Sequence, residues 1–125
     1  MTDLEIYLRN AEPEAIAEWL EAHLDGLAFP LPTQGRMLKG AGQYRDQPVQ
    51  LSLYPEAAGK QFHCLVMEGE SLPWQSDLDC ARSAWRALDK EVRCSPGGWA
   101  EGDPVEENQW WKLDQHGEKL ITWTS

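Results

Sequence analysis

The sequence predicts an α+β fold: a mainly antiparallel sheet of five to six strands with two helices, in the order β-α-β-β-β-α-β-β over a single domain, 1–125. Three observations carry this. Apolar residues recur at helical spacing in two stretches, other short runs alternate or are continuously apolar, and most of those runs are joined by links too short for a parallel crossover.

Leu4, Ile6 and Leu8 alternate with Glu5, Tyr7 and Arg9, the period of a half-buried first strand. Pro13 suits a first helical position, and Ile16, Trp19, Leu20, His23, Leu24 and Leu27 form one helix face, with Gly26 offered as its left-handed stop. Pro30 and Pro32 then make 28–34 read as a connection within the domain. Strands are expected at 37–44 and 49–54 about a turn at 45–48, followed by an interior strand at 62–67 that is apolar on both faces. Ser76 and Asp79 resemble a capping box, and Leu78, Ala81, Trp85 and Leu88 stripe a second helix ending near Glu91. The stretch 97–107 is rich in turn formers and carboxylates, and strands at 110–113 and 119–123 close on Gly117 as a hairpin. A strand near 92–94 has the weakest pattern and stands outside that order.

Eleven basic against twenty-one acidic residues leave a net charge of −10, which repels nucleic acid and anionic membranes and attracts basic partners. No basic leader precedes an apolar run, and no stretch reaches the ~20 apolar residues of a membrane helix. Three cysteines, an odd number without close spacing, suit a reducing compartment, so the expectation is a cytoplasmic protein with buried thiols.

Motifs for chemistry are sparse. His63 and Cys64 pair a base with a nucleophile, but neighbours on a strand point to opposite faces. His23, His63, His116 and the cysteines stand at none of the spacings that preset a metal site, and Gly40-Ala41-Gly42 precedes a strand where a dinucleotide fingerprint needs a helix. No cofactor is expected.

Tryptophan is over-represented, at seven residues. Trp19 and Trp85 lie on the helix stripes and are expected in the core. Trp110 and Trp111 are adjacent on one strand, so their indoles must leave opposite faces. With Trp74 and Trp99 in loops, and Glu101, Asp103, Glu106 and Glu107 close by, they form a candidate aromatic and acidic binding surface. In composition the chain resembles small bacterial proteins, including immunity proteins that neutralise toxins; that resemblance transfers no residue. The expected function is a non-enzymatic, acidic protein-interaction module, immunity-like or regulatory, that receives a basic protein or its own copy as a dimer. The rival is a small-molecule binder or enzyme with a pocket near His63 and Cys64.

Overall fold

The computed structural model describes residues 2–32, 35–57, 61–95 and 109–122. They form β1 (Thr2–Arg9), α1 (Pro13–Glu21), β2 (Asp25–Pro32), β3 (Leu38–Tyr44), β4 (Gln47–Tyr54), β5 (Phe62–Gly69), α2 (Asp77–Leu88), β6 (Val92–Cys94), β7 (Gln109–Asp114) and β8 (Gly117–Thr122). All eight strands join one antiparallel sheet in the order β2-β3-β4-β5-β1-β6-β7-β8. The class is α+β, and the expected order is corrected to β-α-β-β-β-β-α-β-β-β.

Two strands account for the correction. The expected linker at 28–34 overlaps β2, which tolerates Pro30 and Pro32 because it lies at a sheet edge, where fewer backbone N–H groups need partners. Its pairing with β3 is broken by two register shifts, so no clean alternation marks it in sequence. Gly40 lets the two strands close: a Cβ there would lie 2.7 Å from Phe29 Cδ2 and 2.8 Å from the Ala28 carbonyl. The other strand, β6, has three residues, too few to show a period.

The local signals explain the helices. Pro13 occupies the first turn of α1, which ends at Glu21, before Gly26. His23 and Leu24 follow the helix and Leu27 lies in β2, so the apolar spacing outruns the helix itself. Ser76 Oγ accepts the Asp79 N–H at 3.1 Å to start α2, and Asp89 ends it in the left-handed conformation, φ 54°. The β3–β4 turn is the two residues Arg45 and Asp46, both with positive φ, which matches the twist of paired strands and brings Gln47 and Pro48 into β4.

Strand register sorts side chains onto two faces. Leu4, Ile6 and Leu8 share one with Leu65 and Met67 of β5, Leu51 and Leu53 of β4, Val92 and Cys94 of β6 and Leu113 of β7. Ile16, Trp19 and Leu20 of α1 and Cys80, Ala81 and Ala84 of α2 complete this core. On the opposite face, Phe62 and Cys64 are also buried but stand outside that core, and no described helix covers them. β5 is interior to the sheet as expected, yet helical cover lies on one face of it alone. Among the described residues no helix is long and apolar enough to cross a membrane.

Candidate functional site

The helix-free face gathers the chemistry. Across one row of the sheet, Tyr54 of β4, Cys64 of β5, Tyr7 of β1, Arg93 of β6, Lys112 of β7 and Lys119 of β8 stand opposite one another. Trp110 lies in the next row and meets Tyr7 edge to face, ring centroids 5.4 Å apart. Both rings are half-buried, and Tyr54 is 43% exposed. An aromatic band therefore runs over β4, β1 and β7.

Carboxylates and cations flank the band on different sides. Asp3, Glu5 and Glu68 belong to the rows beyond Tyr7 toward the start of β1, with Asp3 paired directly to Glu68. Toward the other end, Glu91 is held by Arg9 at 3.2 Å and Arg93 at 2.7 Å, and Lys112 by Asp114 at 3.3 Å. Arg93 also lies 4.7 Å from the centroid of Phe62, so its guanidinium supplies cover that no helix provides. Arg9, Arg93 and Lys112 are thus paired within the chain, while Asp3 and Glu5 are exposed at the other end of the face.

His63 and Cys64 are separated by the pleat. His63 stands opposite Leu8, on the helix-covered face, and its Nδ1 accepts the Glu56 N–H at 3.1 Å. Cys64 stands opposite Tyr7, on the other face. Burial first, and then the charge of Glu5, pushes the Cys64 thiol up to about 12, away from thiolate chemistry. Burial likewise raises Tyr7, reinforced by Cys64 and Glu5.

Asp77, at the start of α2, reaches β1 and accepts the Glu5 N–H at 3.1 Å. β6 pairs only with Tyr7 and Leu8 of β1, so this carboxylate satisfies a strand edge that β6 is too short to reach. Burial raises its pKa. All three cysteines are free and buried. Among the described residues no group of three His, Cys, Asp or Glu side chains converges as metal ligands.

The expected binding residues are distributed rather than grouped. Trp110 is on the helix-free face, beside Ile121; Trp111 is half-buried on the helix-covered face, beside Leu120. Trp74 is buried against the helices, stacked on Trp19 at 5.0 Å and 4.9 Å from His23. Trp99, Glu101, Asp103, Glu106 and Glu107 lie outside the described residues. Sequence reasoning missed Tyr7 and Tyr54 as site residues. The signal was present for Tyr7: it occupies the polar phase of the first strand, between Glu5 and Arg9, where an aromatic ring is out of place.

A separate cleft of about 610 Å³ opens on the helix side beside His23, Trp74, Ser83, Arg82 and Arg86. The Trp19 Nε1–H donates to Ser83 Oγ at 3.0 Å, and that oxygen lies 3.4 Å from His23 Nε2. Arg82 is tied to Glu118 at 2.7 Å and to Asp79 at 3.6 Å. These polar groups chiefly satisfy one another, which is how a tryptophan N–H is buried without loss.

Set against family models, curated proteins and solved structures, the chain matches none.

Proposed function

We propose that this chain is a non-enzymatic protein-interaction module whose helix-free sheet face receives a basic segment of a partner protein. The observation that supports this reading is the Tyr7–Trp110 edge contact at 5.4 Å, with both rings half-buried beside Asp3, Glu5 and Glu68 on a face that no described helix covers. Rigid aromatic rings bury large area with few torsions to freeze, and they dominate interface energetics. Carboxylates at the margin steer a cationic partner, in keeping with the net charge of −10.

The Trp110 reading retains the sequence expectation and relocates its acidic half from 101–107 to Asp3, Glu5 and Glu68. An alternative centred on His63 and Cys64 has less support, because the two side chains leave opposite faces of β5 and Cys64 is held as a thiol.

Affinity capture from the native host, in low and in high salt, tests the proposal with three baits: the unaltered chain, Trp110→Ala and Glu68→Lys. A basic protein should bind in low salt and wash off in high salt. Its affinity should fall about 30-fold with Trp110→Ala, the scale of an aromatic anchor worth about 2 kcal/mol. Failure to capture a basic partner, or capture indifferent to both substitutions, overturns the reading.

A further inference from the structure

The two edges of the sheet are built differently. β2 carries Pro30 and Pro32, which have no N–H to donate, and its pairing is interrupted by two register shifts. Such an edge rejects a further strand. β8 contains no proline, and its six residues pair one to one with β7, from Asp114↔Gly117 to Gln109↔Thr122, without a bulge. Among the described residues nothing pairs with its outer side.

β8 also exposes one large apolar side chain beside this edge, on the helix-covered face. Leu120 is 46% exposed and stands directly opposite the half-buried Trp111. Glu118, two residues away on the same face, is anchored by Arg82 of α2 at 2.7 Å, which fixes the strand in place.

Register then selects the occupant. The two-residue turn makes Asp114 and Gly117 a hydrogen-bonded pair, so Lys119 and Ile121 also direct their backbone groups inward, to β7. Glu118, Leu120 and Thr122 direct theirs outward. A second copy pairing antiparallel across a twofold axis must place one residue opposite itself. An axis at Glu118 sets two glutamates face to face, and one at Lys119 sets two lysines face to face; both are unfavourable. An axis at Leu120 sets Leu120 on its counterpart, Glu118 opposite Thr122 and Lys119 opposite Ile121. An axis at Ile121 also opposes no like charges but leaves Glu118 without a described residue opposite it, whereas the axis at Leu120 uses every described outward-facing residue.

We infer that β8 is the dimerisation edge of this protein, two copies joining their sheets antiparallel about a twofold axis at Leu120 and enclosing the Leu120–Trp111 apolar pair. This edge is distinct from the helix-free face around Trp110, so the two interactions are separable. They also respond oppositely to salt. Two copies that each carry −10 repel, and screening strengthens their association, whereas it weakens capture of a basic partner.

Sedimentation equilibrium of the full chain, with Leu120→Asp and Trp110→Ala alongside, tests the inference. A dimer is expected whose dissociation constant falls as salt rises, is lost in Leu120→Asp and is retained in Trp110→Ala. Engineered cysteines provide a second measurement that does not require a destabilising substitution. Paired across the axis, Leu120→Cys places its Cα atoms about 5.5 Å apart, within disulfide reach. Lys119→Cys would lie about 7–8 Å from its counterpart, too far to close. Mild oxidation should therefore yield a covalent dimer from Leu120→Cys and not from Lys119→Cys. A monomeric native chain, a dimer indifferent to Leu120→Asp, or cross-linking through position 119 in preference to 120 overturns the inference.

Discussion

On the helix-covered face of β1, Leu4, Ile6 and Leu8 are at most 3% exposed, while on the other face of the same strand Glu5 is exposed and Tyr7 and Arg9 are half-buried. The first face is sealed by helices; the second hides Phe62 and Cys64 beneath the side chains of Arg93 and Tyr7. Cover by long polar side chains is cheaper to displace than cover by a helix, because the charged ends stay solvated while the stems move. A difference in stability between adjacent residues should follow. Leu65, fully buried on the helix-covered face, should cost about 2–5 kcal/mol when changed to Ala. Val66, half-buried on the other face, should cost about 1 kcal/mol. Urea denaturation of the two variants measures both. Equal losses would mean that the second face is as well sealed as the first, and would break the comparison.

Within the helix-free face, the half around Glu91 is tied by ions and the half around Glu5 is not. The Glu91 side chain is 8% exposed and binds Arg9 and Arg93, with the Arg93 side chain 14% exposed. Glu91→Gln keeps the shape, removes the charge that balances two guanidiniums, and should cost about 1.5–3 kcal/mol. Glu5→Gln should instead cost less than about 1 kcal/mol, because Glu5 is exposed and its charge opposes that of Asp77, which offsets the hydrogen bonds it accepts from Tyr7 and Cys64. If the Glu5 substitution costs as much as that at Glu91, the division of this face into a committed and an available half fails.

Much of this architecture was legible where sequence period and burial coincide. Strand β1 announces itself by strict alternation, and β5 by an apolar run on both sides; α2 is bracketed by Ser76 and a stripe of small and apolar residues. What stayed hidden has physical causes. Strand β2 is bulged and proline-bearing, so tertiary pairing with β3, made possible by Gly40, overrides its local signals. Strand β6 is specified by its neighbours β1 and β7, not by its own three residues. The candidate site was readable in part: adjacency alone requires Trp110 and Trp111 to diverge, but the approach of Tyr7 to Trp110 depends on β6 inserting between β1 and β7, a long-range pairing absent from any local pattern.

The smallest effect concerns a residue on the helix side that the apolar pattern had already marked. His23 follows α1 and packs between Trp19, Trp74 and Ser83, with Asp79, Arg82 and Arg86 around the same cleft. Partial burial holds its pKa below the ordinary 6.5. The folded state thus prefers the neutral ring, so the contribution of His23 to stability is fully present above pH 6.5 and is lost as pH falls through the lower, folded-state value. His23→Gln has no proton to gain in that window. Urea midpoints at about pH 7.5 and about pH 5 should therefore fall more for the unaltered chain than for His23→Gln. Carboxylates contribute equally to both proteins over this range, so the difference between the two slopes isolates the imidazole. Parallel slopes would show that contact with Trp19 and Trp74 leaves the imidazole of this exposed residue as well hydrated as in the unfolded chain.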